Sequence, residues 1–306
     1  MKYPKVSLVI LNWNGLDDTA ECLESLKTIT YPNYEVIVVD NCSDGDDATI
    51  LKERFGDYIQ LVLNDKNYGS AEGYNSGVRH ILANSQPQPE YIITMNNDMV
   101  VDSAFLTELV KAAMEDETIG IVGPKIYYYK YNERNDVIWS AGGMIKVWMP
   151  LVTRHIGEND DDLPKYQNKT TVDWITGALF MLRSQLFQEV GFYHSGYFIG
   201  FEDIEYCLRT RKCGYKIVYV PSSRVWHKVG ASMRKSDRIY ADPAIYYTFI
   251  RRNFSSAIYI YQLLLLPFIV AYWAMLYIIR LRNKRIACIF LRNLIKFMFQ
   301  RNTTVM

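Results

Sequence analysis

The sequence predicts an α/β protein with a doubly wound, mostly parallel sheet, followed by a hydrophobic helical segment that associates with a membrane. The first observation is that short apolar runs rich in β-branched residues alternate with stretches of helical spacing from Val6 to Met114. Strands that alternate with helices form mostly parallel sheets with helices on both faces. The second observation is an apolar segment without charged residues, 257–279, near the C-terminus.

The first half of the chain is predicted to contain four strands, each followed by a helix. The strands are expected at 6–11, 34–39, 58–63 and 91–95. The helices are expected at 17–27, around 50–51, at 71–82 and at 105–114. This arrangement is typical of a nucleotide-binding half-domain.

The second half is aromatic and irregular after residue 123, with Tyr127, Trp139 and an acidic loop at 158–162. Such a stretch shapes a substrate cleft more often than a regular core. Regular structure is expected to return from Asp173. It comprises a strand at 177–182, a helix at 203–212 and a strand at 216–220 that Pro221 ends.

The composition excludes several classes of protein. The 306 residues include 34 Lys and Arg against 33 Asp and Glu, a net charge of +1, so no overall field favours nucleic acid. The five cysteines are an odd number without a C-x-x-C pair, which is typical of a reducing compartment. The N-terminus lacks the apolar region of a signal peptide, which argues against secretion.

Acidic residues follow two of the predicted strands and open one predicted helix: Asp40, Asp98 and the pair Glu202–Asp203. Because the carboxyl ends of parallel strands meet at one edge of a sheet, Asp40 and Asp98 are expected to lie on the same edge, and the acidic pair can fold over them. Asp40 is a candidate for contact with a base or ribose, and Asp98 for a divalent cation that carries a diphosphate. Asn-Asn-Asp is also ordinary turn chemistry, which remains the alternative for Asp98.

Three further features are candidates for a binding or catalytic role. Asp203 lies at a predicted helix N-terminus, whose dipole favours the ionised carboxylate, so it suits proton acceptance; a simple helix cap is the alternative. The glycine-rich loop 67–77 enters a helix, where backbone N–H groups approach a ligand closely, although it does not follow the first strand as a dinucleotide fingerprint would. His227 is a candidate metal or phosphate ligand, although a lone histidine is usually structural.

Seven stretches occur in an order that is specific, although each is weak alone: 6–15, 39–44, 67–77, 96–98, 173–178, 201–209 and 226–227. Among them are Asn96-Asn-Asp98, Asp173-Trp-Ile-Thr-Gly-Ala178 and Phe201-Glu-Asp203. The series resembles the motifs of glycosyltransferase family 2, and the rhamnosyltransferase-like enzymes are the most similar branch. The resemblance extends from about Val6 to Asn253.

The resemblance implies a GT-A fold and an inverting, metal-dependent transfer from a nucleotide sugar, with Asp203 as general base. It implies that Asp98 and His227 contact a Mg²⁺ or Mn²⁺ ion. The implied nucleotide-binding residues are Asn12, Asp40, Asn41, Gly69, Asn75 and Asn97. The implied acceptor-binding residues are Asp173, Trp174, Thr176, Gly177 and Glu202. Two positions depart from the family pattern: Asn96 stands where many relatives have a first Asp, and Glu205 where the branch often has Asp.

This assignment meets the chemical demand of the reaction. Displacing a nucleoside diphosphate from an anomeric carbon builds negative charge on the leaving phosphate, which a divalent cation neutralises. The acceptor hydroxyl must lose its proton as it attacks from the opposite face. One carboxylate for the metal and a second for the proton are therefore the minimum set.

The C-terminal segment, 254–306, is predicted to associate with a membrane, after a catalytic domain at 1–253. At about 1.5 Å per residue, 257–279 is long enough to cross about 30 Å of hydrocarbon. Pro267 interrupts it and both flanks are basic, which favours a re-entrant or in-plane hairpin over a straight span. Residues 286–300 are expected to form an amphipathic interfacial helix on anionic lipid. The alternative is a soluble helical hairpin that forms a homodimer.

The resulting hypothesis is transfer of a sugar, with dTDP-rhamnose as the favoured donor, to a lipid-linked saccharide or another surface-polysaccharide precursor of the cell envelope. The expected location is the cytoplasmic face of the cell membrane. Two alternatives stay open. A nucleotidyltransferase shares the sheet and an acidic metal site. It would require a basic glycine-rich loop early in the chain, and the sequence has no such loop there. A catalytically silent membrane scaffold would use the same fold without turnover.

Overall fold

The computed structural model describes residues 3–147, 152–229 and 243–275. The chain divides into two compact units, one formed by 1–144 with 154–231 and the other by 145–153 with 232–306. The first unit contains the central sheet and every candidate site residue named above.

Twelve strands and eight α-helices occur in the described residues. The strands are β1 (Val6–Asn12), β2 (Tyr34–Asp40), β3 (Ile59–Leu63), β4 (Tyr91–Asn96), β5 (Met99–Val101), β6 (Ile119–Tyr128), β7 (Ile138–Ser140), β8 (Gly143–Lys146), β9 (Val152–His155), β10 (Thr170–Thr171), β11 (Leu179–Arg183) and β12 (Lys216–His227). The helices are α1 (Leu16–Leu26), α2 (Asp47–Phe55), α3 (Gly69–Asn84), α4 (Phe105–Met114), α5 (Leu186–Glu189), α6 (Glu202–Lys212), α7 (Pro243–Asn253) and α8 (Ser256–Met275), with a short 3₁₀ helix at Pro164–Tyr166.

The first half of the sheet is parallel, as predicted. β1 pairs with both β2 and β4, and β2 pairs with β3, all in the parallel direction. These strands are apolar and β-branched along most of their length, and Leu8, Val38 and Ile93 are completely buried. Strands covered by helices on both faces have this continuous apolar character, and each such side chain contributes about 1.5 to 3 kcal/mol through burial.

The register of these strands determines which loops meet. Asn12 lies opposite Asp40, and Leu11 lies opposite Asn96. The carboxyl ends of β1, β2 and β4 therefore lie at the same edge of the sheet. This register places Asp40 and the turn that contains Asp98 on the same edge of the sheet, as the sequence predicts.

The second half of the sheet is mixed, so the prediction of a mostly parallel sheet is wrong there. The strand order is β10-β12-β6-β11-β4-β1-β2-β3, with β5 beside β12 and β7 beside β6. β11 runs antiparallel to both β4 and β6, whereas β12 is parallel to β6. β5 and β10 pair with β12 in the antiparallel direction. Antiparallel neighbours need no helical crossover, so the βα alternation of the first half does not predict them.

One predicted strand is longer than expected, and another strand occupies part of a stretch that was expected to be irregular. The strand predicted to end before Pro221 continues as β12 to His227, because a shift of register between Val220 and Arg224 takes up the proline. The stretch after residue 123, predicted to be irregular, continues as β6 to Tyr128. Because β12 stays paired with β6 as far as His227, this residue lies at the end of the long β6–β12 pair.

The second unit contains α7 and α8. Tyr246 donates a hydrogen bond to Oε1 of the buried Gln262 at 3.1 Å, which joins the two helices. Within the described part of the chain, no helix has the length and apolar character required to cross a bilayer. The end of the predicted segment 257–279 and the whole predicted helix 286–300 lie outside the described residues. The predicted boundary at 253/254 stays a prediction.

Candidate active site

Asn12, at the end of β1, joins the loops that follow three neighbouring strands. Its Nδ2 donates hydrogen bonds to Asp40 Oδ1 at 2.8 Å and to Asp47 Oδ2 at 3.0 Å. Its Oδ1 accepts hydrogen bonds from Thr19 Oγ1 at 2.7 Å and from Asn97 Nδ2 at 3.3 Å. Both halves of this buried amide are satisfied inside the protein. The sheet edge is therefore lined by a connected polar network.

The polar atoms of Asp40 and Asn97 also form hydrogen bonds within this network. Asp40 accepts hydrogen bonds from the Ser43 hydroxyl at 2.7 Å and from the Ser43 backbone N–H at 3.1 Å, in addition to that from Asn12. Asn97 Nδ2 donates to Thr19 Oγ1 at 2.8 Å. These side chains hold the shape of the loops, and their direct contact with a nucleotide stays a prediction.

The remaining predicted nucleotide-binding residues fix the glycine-rich loop and α3. Asn41 Nδ2 donates to the carbonyl of Gly69 at 3.1 Å. Gly69 has a φ of +78°, and a Cβ there would lie 2.1 Å from the carbonyl oxygen of Phe198, so a side chain does not fit. Asn75 donates to the carbonyl of Tyr193 at 2.9 Å and accepts from its N–H at 3.0 Å. The nucleotide contacts of Asn41, Gly69 and Asn75 stay predictions as well.

Asp98 and His227, the two predicted metal ligands, lie side by side. β5 begins directly after Asp98, and its first residue, Met99, pairs with His227 of β12. The backbone N–H of Lys228 donates to the carbonyl of Asp98 at 3.0 Å. These strand contacts bring Asp98 Oδ1 within 3.1 Å of His227 Nε2, and both side chains are buried. Burial opposes ionisation of Asp98, but the charge of His227, assisted by Lys228, outweighs it and holds the pKa of Asp98 below its ordinary value.

This pair fits a divalent cation as part of its ligand set. Adjacent ligands of an octahedral ion with bonds of about 2.1 Å lie about 3 Å apart, which agrees with the 3.1 Å between the two atoms. Asp98 Oδ1 and His227 Nδ1 are buried without a hydrogen-bond partner among the described residues. The described part of the chain contains no cluster of three or more His, Cys, Asp or Glu side chains suited to a metal. Phosphate oxygens and water would therefore have to complete the shell, as is usual for Mg²⁺.

Asp203, the predicted general base, is held by backbone N–H groups at the start of α6. Its Oδ2 accepts from Gly177 N at 2.7 Å and its Oδ1 from Ile204 N at 2.8 Å. A Cβ on Gly177 would lie 3.1 Å from Asp203 Cβ, so the glycine allows the close approach. Phe201, the N-cap residue of α6, has a left-handed φ of +68° although it is not a glycine. Burial raises the pKa of Asp203 despite these donors.

That direction differs from the expectation that the helix dipole alone keeps Asp203 readily ionised. Its neighbour Glu202 shows the same effect more strongly, because burial and the charge of Asp203 raise the pKa of Glu202 to about 7. A higher pKa makes a carboxylate a stronger base, so proton acceptance remains the role that suits Asp203.

The pairing of β4 with β11 brings the segment of the predicted metal ligand beside the segment that holds the predicted base. Tyr74 of α3 donates a hydrogen bond to Asn96 Oδ1 at 2.8 Å. Burial, and then the charges of Glu202, Asp98 and Asp203, raise the pKa of Tyr74 well above its ordinary value. The backbone N–H of Asn96 donates to the Ala178 carbonyl at 2.9 Å. Asp98 follows Asn96 by two residues, and Asp203 accepts from the N–H of Gly177, which precedes Ala178.

The other predicted acceptor-binding residues have different surroundings. Asp173 is partly exposed and forms an ion pair of 2.8 Å with Arg211. Trp174 is 4% exposed, and its ring lies 4.9 Å from that of His155. Thr176 is buried, and its hydroxyl accepts from Ala178 N at 3.3 Å. The segment borders the site through Gly177, while acceptor contacts of the other residues stay predictions.

Two residues beside the predicted metal ligands are not among the predicted site residues. The Trp139 ring lies 4.3 Å from the His227 ring and 4.6 Å from the His155 ring. Burial, and then the charge of His227, lower the pKa of His155 to about 4. The aromatic stretch around Trp139 was the signal for a cleft, whereas His155 carries no motif. The aromatic rings thus extend from His227 to Trp174.

Comparison with known proteins agrees with this geometry. The model of the family described as glycosyl transferase family 2 matches residues 7–206. The chain belongs to glycosyltransferase family 2. The rhamnosyltransferase WbbL of Escherichia coli K12 is 25% identical over 226 residues, which cover 72% of this chain and 83% of that protein. An N-acetylglucosaminyl-diphospho-decaprenol L-rhamnosyltransferase of Mycobacterium tuberculosis is 25% identical over 217 residues, 67% of this chain and 70% of that one.

These relatives confirm the resemblance to the rhamnosyltransferase-like branch. The fold also agrees with a solved structure, the mannosyltransferase PcManGT from Pyrobaculum calidifontis in complex with GDP-Man and Mn²⁺. The TM-score is 0.59 at 15% identity, over 99% of this chain and 89% of that chain. The expected GT-A type of fold is thereby confirmed. The chain spans 25% and 18% of the length of the first two curated relatives that it matches.

Proposed function

We propose that this family 2 protein is an inverting, metal-dependent glycosyltransferase that uses a nucleotide sugar as donor. The observation that carries the proposal is the 3.1 Å contact between Asp98 and His227 next to the segment that holds Asp203. The hydrogen bond from Asn96 N to the Ala178 carbonyl joins the turn of Asp98 to that segment, where Gly177 N donates to Asp203. One carboxylate of this group suits a cation and another suits a proton, which is the minimum set for the reaction.

The residues that would hold a divalent cation are Asp98 and His227. When bound, the ion supplies the positive charge that neutralises the leaving diphosphate. An aspartate is ordinarily ionised at physiological pH, and the pKa of Asp98 lies below its ordinary value, so Asp98 binds a cation without first losing a proton.

Asp203 accepts the proton of the acceptor hydroxyl in this proposal. The N–H groups of Gly177 and Ile204 orient its two oxygens. Because the attack on the anomeric carbon is direct and comes from the face opposite the leaving group, no covalent enzyme nucleophile is needed and the anomeric configuration inverts.

The proposed donor is dTDP-rhamnose, and the proposed acceptor is a lipid-linked saccharide or another precursor of a surface polysaccharide. The names of two relatives support this choice, since both are rhamnosyltransferases and one is named for a diphospho-decaprenol acceptor. Such an acceptor has its saccharide at the membrane surface, which agrees with an enzyme attached to the cytoplasmic face.

The surface of α8 supports attachment to a membrane. Ile260, Leu264 and Phe268 are exposed by 56, 70 and 73%, and they recur at helical spacing on one side of α8. Arg251 and Arg252 at the end of α7 are exposed and basic, which suits anionic lipid headgroups. We expect the protein to remain with membranes during washes in high salt without detergent. Release under those conditions would contradict integral attachment.

The proposed activity is tested with Asp203→Asn against the matched variant Asp57→Asn, which alters an exposed carboxylate in the turn before β3. Thermal-shift measurements with nucleotide sugars, with and without Mn²⁺, first identify the donor. Asp203→Asn should keep donor binding and lose at least about 100-fold in turnover, as loss of a general base does. Asp57→Asn should behave like the wild type.

Each outcome of this experiment separates the alternatives. Equal turnover in Asp203→Asn would move the base to Glu202 or Glu205. Release of pyrophosphate when a nucleoside triphosphate and a sugar 1-phosphate replace the nucleotide sugar would indicate a nucleotidyltransferase. The absence of both binding and turnover with every nucleotide sugar would favour the silent scaffold.

A further inference from the structure

Ser70, in the first turn of α3, connects this helix to the segment that leads into α6. Its backbone N–H donates to the carbonyl of Phe198 at 2.7 Å. Its hydroxyl lies 2.6 Å from Glu202 Oε1, to which it donates a hydrogen bond, and 3.3 Å from the Phe198 carbonyl. The neighbouring Gly69 packs so closely on Phe198 that a Cβ there would overlap its carbonyl. Ser70 is therefore held against the residue beside the proposed base.

Glu202 is a buried carboxylate with incomplete hydrogen bonding. Glu202 is 8% exposed, and its Oε2 has no hydrogen-bond partner among the described residues. The groups that face it are Asp203 from its own helix and Ser70 and Tyr74 from α3. Burial and Asp203 raise the pKa of Glu202, whereas the Ser70 hydroxyl lowers it. Ser70 is thus the side chain that stabilises the ionised form of Glu202.

The other end of this connection is the glycine-rich loop. Asn67 Oδ1 accepts hydrogen bonds from Gly69 N at 2.8 Å and from Asn41 Nδ2 at 3.0 Å. Asn41 follows β2 directly and is buried. These hydrogen bonds, together with the peptide bond between Gly69 and Ser70, connect the end of β2 to Glu202 at the start of α6.

We propose that Ser70 is a positioning residue that couples the glycine-rich loop to the Glu202–Asp203 pair, so that the loop sets the orientation of the Glu202 carboxylate beside the proposed base. The inference rests on the proposed function of the site. It adds a connection between the donor side and the proton-accepting side. A donor that orders the loop also fixes the Ser70 hydroxyl, and through it the carboxylate pair.

The test compares Ser70→Ala with Ser70→Thr, which keeps the hydroxyl, and with Ser76→Ala on the same helix. Ser76 donates only to the carbonyl of Glu72 within α3, at 3.1 Å, so it is a matched control. Loss of one hydrogen bond to a carboxylate should raise the apparent pKa of the pair by about one unit. The acid limb of the pH profile of kcat should therefore move about one unit higher in Ser70→Ala. For a pKa that rises from about 7 to about 8, kcat at pH 7 should fall about fivefold.

Donor affinity in Ser70→Ala should stay within about threefold of the wild type, since the hydroxyl acts on the base rather than on the donor. Ser70→Thr should restore the pH profile, and Ser76→Ala should leave it unchanged. An unshifted profile in Ser70→Ala, or the same shift in Ser76→Ala, would overturn the proposal. A loss of donor affinity with an unchanged profile would also overturn it, because Ser70 would then serve the donor alone.

A second measurement does not depend on turnover. NMR titration of ¹³C-labelled carboxyl groups, with Glu202→Gln to assign the resonance, follows the Glu202 pKa directly in the wild type and in Ser70→Ala. A shift without any glycosyl transfer would refute the proposed function and leave the Ser70 connection intact. Transfer activity without a shift would refute the Ser70 connection and leave the function intact.

Discussion

Gly69→Ala is a sharp test of the close contact between the glycine-rich loop and the segment that precedes α6. Gly69 has a φ of +78°, a conformation that disfavours any residue with a Cβ. The added Cβ would lie 2.1 Å from the Phe198 carbonyl oxygen and 2.8 Å from its carbonyl carbon. Both atoms belong to the backbone, so no side-chain rotation can relieve the overlap.

The magnitude follows from two costs and one gain. Left-handed backbone at alanine costs about 1 to 2 kcal/mol, and overpacking costs about 1 to 3 kcal/mol. The reduced entropy of the unfolded chain returns about 0.4 to 1 kcal/mol. We therefore expect Gly69→Ala to lower the free energy of unfolding by about 1 to 4.5 kcal/mol. If the segment moves away instead, the Ser70–Glu202 hydrogen bond lengthens and turnover falls.

The measurement is denaturant unfolding at equilibrium, with turnover measured on the same samples. Gly45→Ala is the matched control, because a Cβ at Gly45 would meet nothing within 4 Å. It should change stability by less than about 1 kcal/mol. If Gly69→Ala matched Gly45→Ala in both stability and turnover, the contact with Phe198 would not have the tight geometry on which the reasoning depends.

Three further predictions concern the candidate active site. Asp98→Asn should weaken nucleotide binding at least about tenfold in Mn²⁺ but not in EDTA, and an unchanged calorimetric titration would refute its metal role. The pKa of Glu202 is raised from 4.5 to about 7 on folding, so the folded state is stabilised below pH 4.5 and loses this stability as pH rises through 7. Glu202→Gln should therefore flatten the decline in urea stability between pH 5 and 8. Asn41→Ala should lower the free energy of unfolding by about 1 to 3 kcal/mol, measured by urea denaturation, because its buried hydrogen-bond partners lose their amide.

The parallel half of the fold is predictable because its signals are local. Each strand from β1 to β4 is a short apolar run bounded by polar turn residues, and each helix has apolar spacing on one side. The acidic ends of β2 and the β4 turn then meet by register alone. Sheet topology in the second half is not local, since β11 inserts between β4 and β6, which lie far earlier in the sequence. No spacing in the sequence encodes that insertion.

The site residues were predictable as a set, but their surroundings were not. Asn12, Asp40 and Asn97 are polar residues at strand ends, which fits either ligand contact or loop structure. Their hydrogen bonds to one another reveal the loop structure, and only the folded chain brings together partners from three separate loops. His155 was missed for a related reason. Its contacts with Trp139 and Trp174 depend on side chains that lie 16 and 19 positions away, so nothing in its own neighbourhood indicates the site.

The pKa of Asp203 shows how two physical effects compete at one carboxylate. A helix dipole acts within the first turn and typically stabilises an exposed anion by about 0.3 to 1 kcal/mol, so position in the sequence alone predicts a readily ionised side chain. Burial disfavours the charged form, and here it prevails over the dipole and over the N–H groups of Gly177 and Ile204. The sign of the balance depends on solvent exposure, which the sequence does not contain. Because the same N–H groups that moderate the pKa also hold the oxygens in place, Gly177 contributes to both the strength and the orientation of the proposed base.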